Sequence, residues 1–339
     1  MENNKRVNVI IESRIPFVDD RLDGIAEVTR LDPECFTPKA VAGADALIVR
    51  TRTRIDSALL AGSKVSFVAT ATIGTDHIDM EWCRERGIAV ANAPGCNAPG
   101  VAQYVIAALM EQGYEAGPST TLGIVGAGHV GKIVEQWARG LGMRVLICDP
   151  PRARAEGGEG FCSLDYIARE ADVITFHTPL THDGPDATFH ILGSRFLSQC
   201  ERRPLLINAA RGAVADTAAI IEAVKEGIIK RPVIDCWEGE PAISRELLEL
   251  ASVATPHIAG YSLEGKMRAT QMALDAFTSH FNLPAAGECR GMDLSVAQSP
   301  DAASIARSYS PVADTAALRD KPDRFEYLRN HYNYRPEPR

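Results

Sequence analysis

Runs of four or five Val, Ile and Leu residues, with charge only at their ends, recur along most of this 339-residue chain. Stretches with apolar residues at every third or fourth position separate them. The apolar runs predict strands at Asn8–Glu12, Ala46–Arg50, Ser66–Ala69, Thr121–Val125, Arg144–Cys148, Val173–Phe176, Leu205–Asn208 and Pro232–Asp235. The periodic stretches predict helices at Val101–Gln112, Val130–Leu141, Leu164–Ala171, Ala218–Glu226 and Lys266–Phe281. Near-continuous apolar strands alternating with helices indicate parallel sheets covered on both faces. The expected class is therefore α/β, with two doubly wound parallel-sheet domains.

Punctuation suggests where the domains meet. The run NAPGCNAPG (92–100) breaks both periodicities, and TPHIAGYSLEG (255–265) precedes a long helical stretch. Together they predict a discontinuous first domain (1–95 plus 258–283), a second domain (96–257) and an appended element (284–339). The appended stretch is rich in Pro, Gly, Ser and Ala up to about 315, then charged and aromatic. Phe325, Tyr327, Leu328, Tyr332 and Tyr334 carry too much apolar surface for a solvated end. They predict docking on a further surface, a second subunit among the candidates.

One candidate chemistry follows the strand Thr121–Val125, where Gly126-Ala127-Gly128-His129-Val130-Gly131 opens a helix. Alone, a GxGxxG string is weak; between a strand and a helix it carries a mechanism. Gly126 permits the tight turn, Gly128 lets a pyrophosphate approach the backbone, and Gly131 allows close helix–strand packing. The phosphates would rest on the helix N-terminus, where free N–H groups favour an anion. Asp149 ends the next strand 18 residues beyond Gly131, near the ~20-residue offset of a carboxylate that binds the ribose hydroxyls. A carboxylate there repels a 2′-phosphate, which favours NAD over NADP. Arg152 complicates this, since it could accept such a phosphate.

Three more segments follow later strands, where open α/β sheets turn residues toward their ligands. NAARG (208–212) supplies Arg211, a guanidinium suited to a carboxylate or carbonyl oxygen. DCWEGEP (235–241) supplies Glu240, and TPHIAGYSLEG supplies His257. His257 can accept a hydroxyl proton as hydride leaves the same carbon, and Glu240 can orient the imidazole and raise its pKa. Each residue has an ordinary structural explanation. The set, in this order behind a nucleotide signature, points to hydride transfer at a carbon bearing a hydroxyl.

On the fingerprint, the HTPL loop (177–180), NAARG, VIDCWEGEP and the Pro-His of TPHIAG, the chain resembles the D-isomer-specific 2-hydroxyacid dehydrogenases. ATATIGTDHID (69–79), APGCNA (93–98), CDPPR (148–152), FHTPLTHDGP (176–185) and GYSLEGK (260–266) are similar to one branch that acts on a phosphorylated substrate. The resemblance implies two Rossmann-like domains with a small C-terminal dimerisation element (284–339), and hence a homodimer. It implies NAD-dependent oxidation of 4-phospho-D-erythronate, a step of pyridoxal 5′-phosphate biosynthesis. Arg211, Glu240 and His257 would be catalytic. Gly126, Gly128, Gly131, Asp149, Thr178, Asp235 and Gly260 would contact NAD, and Thr51, Thr72 and Tyr261 the substrate. Arg50 is added as a candidate phosphate ligand because it offers a charge beside Thr51, with a structural ion pair as the competing explanation. A sibling such as a phosphoglycerate dehydrogenase would share the Arg, Glu and His. A non-catalytic NAD-sensing protein is a third reading.

Composition narrows the classes further. With 36 Lys and Arg against 44 Asp and Glu, the net charge is −8, and no run of basic residues offers a nucleic-acid surface. The uncharged stretch Gly87–Met110 contains Pro94, Gly95, Pro99 and Gly100, so it is not expected to span a membrane as one helix. The opening residues lack the apolar run of a signal peptide. Eight cysteines (Cys35, Cys83, Cys96, Cys148, Cys162, Cys200, Cys236 and Cys289) include no CxxC pair. They suggest free thiols in the cytoplasm and no bound metal.

Overall fold

The structure, a computed structural model, describes residues 6–288 and 293–339; Cys289 lies outside them. Contacts divide the chain into two units, Met1–Asn97 with Leu263–Ser295, and Ala98–Ser262 with Val296–Arg339. Each holds one all-parallel sheet, in keeping with the expected class.

The sheet of the first unit comprises β1 (Asn8–Glu12), β2 (Glu27–Leu31), β3 (Ala46–Val49), β4 (Phe67–Thr70) and β5 (Ala89–Ala91), in the order β2-β1-β3-β4-β5. Side chains alternate across it with period two. Val9, Ile11, Ala46, Ile48 and Phe67 face a core completed by Ala273, Leu274 and Phe277 of the helix Leu263–His280. Ile10, Leu47, Val49 and Val68 face a second core with Val41, Leu59 and Cys83. Strand β2, absent from the predicted elements, is an exposed edge whose Glu27 and Arg30 replace the apolar run of a central strand. The short β5 was likewise not predicted.

The sheet of the second unit comprises β6 (Thr121–Val125), β7 (Arg144–Cys148), β8 (Val173–Phe176), β9 (Leu205–Asn208), β10 (Val233–Ile234) and β11 (Val253–Ala254). Its order is β11-β10-β9-β8-β6-β7, so the strand sequence reverses between β6 and β8. The helix Ala98–Glu111 is buried on nearly every side, packed in the core that lines one face of this sheet. The lack of charge from Ala98 to Met110 therefore reflects a buried globular helix. No described helix is long and apolar enough to cross a membrane.

The appended residues fall differently from the expected division. Val296–Arg339 counts with the second unit, and residues up to Ser295 with the first. Ile305 and Tyr309 enter the core beside the buried helix, while Leu318 and Phe325 complete the core on the opposite face of the sheet. Much of the apolar surface that called for a partner is thus satisfied within the chain. Val312 (53% exposed) and Tyr327 (47%) are left outside.

Candidate active site

At the β6/β8 reversal, a Cβ on Gly126 (φ 89°) would lie 2.8 Å from the His177 carbonyl carbon, and one on Gly131 would collide with the Gly126 carbonyl oxygen. Both glycines are sterically required. A Cβ on Gly128 would meet nothing within 4 Å. That open space lies at the first turn of the helix His129–Gly140, which has no side-chain cap. Free amides and an unobstructed approach suit a diphosphate. Across from Gly126, the Thr178 hydroxyl and His177 Nδ1 are buried without a hydrogen-bond partner. Orphaned polar atoms of this kind call for a ligand. These residues fit a dinucleotide.

Asp149 follows β7 and caps the helix Pro150–Glu156: Oδ1 accepts from Arg152 N–H (3.0 Å), and Oδ2 from Ala127 N–H (2.8 Å). The carboxylate thus ties the glycine loop to β7 while its remaining lone pairs suit ribose hydroxyls. Arg152 donates to the Ala127 carbonyl (2.8 Å) and pairs with Glu156 at 2.8 Å through two nitrogens. Its guanidinium is committed to the loop, which removes the complication for NAD.

The catalytic candidates gather on the loops after β9, β10 and β11. Buried Asn208 donates to the carbonyls of Arg211 and Cys236, both at 3.1 Å, and a Cβ on Gly212 would collide with the Trp237 carbonyl. The Arg211 loop is therefore stitched to the segment that carries Glu240. Glu240 Oε1 lies 2.6 Å from His257 Nδ1, and its Oε2 accepts from Trp237 N–H at 3.1 Å. Burial alone would raise the Glu240 carboxyl; His257, the Trp237 amide and Arg329 hold it below the ordinary range. Burial alone would lower the His257 imidazole, yet the hydrogen bonds of Cys236 and Glu240 and the charge of Glu240 raise it above its ordinary value. Burial also pushes the Cys236 thiol up, so at neutral pH the sulfur is uncharged and Glu240 supplies the negative charge.

His257 sits at φ 56°, a strained conformation for a residue with a Cβ. Asp235 helps to hold it there. Only 1% exposed, its carboxylate accepts from Ile258 N–H (2.7 Å) and Ala259 N–H (3.0 Å). It also accepts from Thr255 Oγ1 (2.7 Å); with that proton spent, Thr255 accepts from the Tyr104 hydroxyl at 2.8 Å. Expected as a cofactor contact, Asp235 spends these bonds on the turn behind His257. Gly260 and Tyr261 continue that turn, and the Tyr261 hydroxyl accepts from Arg329 Nε at 3.2 Å. Arg329, missing from the predicted set, is raised by Tyr261, Glu240 and Glu326 against the effect of its burial.

The other candidates belong to the first unit, where the strand order reverses between β1 and β3. Glu12 Oε2 accepts from Arg50 N–H (2.9 Å) and the Thr53 hydroxyl (2.8 Å), and Arg50 Nη1 donates to the Arg14 carbonyl at 2.8 Å. Thr51 is exposed beside Arg50. Thr72 follows β4, its hydroxyl 2.7 Å from that of Thr70 and 3.1 Å from the Gly74 carbonyl. The sequence signal for this cluster is position alone, the ends of strands; nothing in its residue types singled out Glu12.

The profile of the D-isomer specific 2-hydroxyacid dehydrogenase family, NAD binding domain, matches residues 110–259. The erythronate-4-phosphate dehydrogenase of Porphyromonas gingivalis is 43% identical, covering 98% of this chain and 93% of its own. That of Bacteroides thetaiotaomicron is 44% identical over 98% and 97%. The chain belongs to the erythronate-4-phosphate dehydrogenase family. Within the wider group of D-isomer specific 2-hydroxyacid dehydrogenases, the NAD-bound 3-phosphoglycerate dehydrogenase of Entamoeba histolytica superposes with a TM-score of 0.68. It is 26% identical and covers 82% of this chain and 96% of its own. The cofactor of this erythronate-4-phosphate dehydrogenase family member is NAD.

Proposed function

We infer that the chain oxidises 4-phospho-D-erythronate to (R)-3-hydroxy-2-oxo-4-phosphooxybutanoate with NAD, a step of pyridoxal 5′-phosphate formation. The carrying observation is the 2.6 Å contact between His257 Nδ1 and Glu240 Oε1, in a chain matched along its length by relatives of that name. Bound NAD supplies the hydride acceptor. With Nδ1 held by Glu240, His257 Nε2 takes the hydroxyl proton as hydride leaves the same carbon. Arg211 binds the carboxylate and polarises the carbonyl oxygen that forms. Gly126, Gly128 and Gly131 receive the diphosphate, Asp149 the ribose, and Thr178, Asp235 and Gly260 the nicotinamide half. Arg50, Thr51, Thr72 and Tyr261 hold the substrate's two anionic ends, with Arg50 on the phosphate.

Glu240 raises the His257 imidazole above its ordinary pKa, which favours the protonated form in the free enzyme. Oxidation needs the neutral base, so its rate rises with pH through that pKa, whereas reduction of the keto acid needs the imidazolium. NADH absorbance with 4-phospho-D-erythronate, 3-phosphoglycerate and unphosphorylated 2-hydroxy acids tests the assignment. Turnover only of acids other than 4-phospho-D-erythronate would make the chain a sibling dehydrogenase.

The same reading puts the enzyme in the cytoplasm as a homodimer. Scattered cysteines with no CxxC pair among them support a reducing compartment. Exposed Val312 and Tyr327 support a second copy docked on the appended helices.

A further inference from the structure

The turn after His257 belongs to no helix or strand, yet its peptide groups are held from two sides. Asp235 takes its N–H groups. Its carbonyls go to Arg335, which lies 78 residues further along the chain (335 − 257). Arg335 Nη1 donates to the Ile258 carbonyl at 3.0 Å, and Nη2 to the Ala259 carbonyl. The other edge of the same guanidinium grips the buried helix Ala98–Glu111, through the Gly100 carbonyl (3.0 Å) and Gln103 Oε1 (2.9 Å). The side chain is 6% exposed and stacks on Tyr309 with its guanidinium carbon 4.1 Å from the ring centre. Its neighbours fasten the same place: Arg335 pairs with Ser262 in a parallel bridge, the Ser262 hydroxyl donates to Glu337 at 2.6 Å, and Gln103 Nε2 donates to the Pro336 carbonyl at 2.8 Å.

We propose that Arg335 is a positioning residue for the reaction: by fixing the Ile258 and Ala259 carbonyls to the buried helix, it sets the strained turn that aims His257. Only a planar fork reaches the Gly100, Ile258 and Ala259 carbonyls, the Gln103 amide oxygen and the Tyr332 hydroxyl (3.3 Å) at once; an ammonium at the same site cannot. The appended segment, beyond adding core, thereby controls the geometry of the proton acceptor. The proposal rests on His257 being that acceptor.

The test uses the full chain with Arg335→Ala and Arg335→Lys, following NADH formation from 4-phospho-D-erythronate across pH, with NAD affinity from fluorescence quenching. Misaiming a reacting group by about 1 Å costs on the order of 100-fold, so kcat should fall about 10- to 100-fold in R335A and less in R335K. NAD affinity should hold within about threefold. The groups facing the imidazole are Glu240, Cys236 and Asp235, with Arg329 beyond Glu240, and all remain. A looser His257–Glu240 contact should therefore move the acid limb of kcat to lower pH, which a mere loss of folded enzyme would not do. Added guanidinium should restore part of the kcat of R335A. If R335A does not fold, R335K decides. An active wild type with R335K unchanged in kcat and in acid limb overturns the proposal alone. A wild type that turns over no 2-hydroxy acid overturns it together with the functional reading.

Discussion

The two units carry sheets of one design and use the same place in it differently. In each, strand order reverses once, and the carboxyl ends of the strands at that point frame a crevice. In the first unit a carboxylate governs the crevice: Glu12 takes the Arg50 amide and the Thr53 hydroxyl, leaving side chains such as Thr51 outermost. In the second unit the crevice is kept open by missing side chains, with free space over Gly128 and the Thr178 hydroxyl unpartnered. A parallel sheet offers a site at its reversal, but backbone without Cβ atoms admits a dinucleotide, whereas polar side chains suit a small anion.

Removing the proposed proton acceptor should have the largest effect. His257→Gln is expected to lower kcat by on the order of 10³-fold while leaving NAD affinity within about threefold. Stopped-flow hydride transfer with a fluorescence binding titration would measure both, and a parallel loss of NAD binding would place His257 in the cofactor crevice.

Next come the glycines. Gly131→Ala drives a methyl into the Gly126 carbonyl and should lose both thermal stability and NAD binding. Gly128→Ala has open space, so its melting temperature should stay within about 1 °C, yet NAD affinity should fall by about tenfold or more because the methyl occupies the diphosphate's approach. Full NAD affinity in G128A would break the comparison at its centre.

Glu240→Gln removes the charge that keeps the His257 pKa high. The acid limb of oxidation should move to lower pH, and reduction of the keto acid should fail at a lower pH than in wild type. A fall of about tenfold in maximum rate should accompany it through looser orientation. A shift the other way in pH–rate profiles would sever the pair.

The smallest effect is expected in the first unit. Arg50→Ala should raise KM for the phosphorylated acid by roughly tenfold, as for a lost charge-assisted contact, with KM for NAD unchanged. Equal activity toward phosphorylated and unphosphorylated acids in both wild type and variant would remove the phosphate role from Arg50.

Most of the architecture was legible because buried parallel strands announce themselves: Asn8–Glu12, Thr121–Val125, Arg144–Cys148, Val173–Phe176 and Leu205–Asn208 were read to the residue. Glu27–Leu31 was not, because an exposed edge strand has no apolar run to read. Arg211, Glu240 and His257 were legible as residue types following strands, and the Glu240–His257 contact followed from their roles. Asp235 was visible only as a candidate cofactor contact; its bonds to the turn depend on where Ile258 and Ala259 point their amides.

Local sequence therefore determined the strands, the glycine loop and the chemical groups, since each depends on near neighbours in the chain: backbone sterics, a period of two, a missing Cβ. Tertiary structure alone decided which distant groups hold those parts in place. Arg152 could be a phosphate ligand until Glu156 and the Ala127 carbonyl claim it. Arg335 is one basic residue in a polar stretch until folding buries it against Gly100, Gln103, Ile258 and Ala259. Hydrogen bonds across 76 to 235 residues leave no periodic trace, because their geometry is set by the packing of whole elements and by no spacing along the chain.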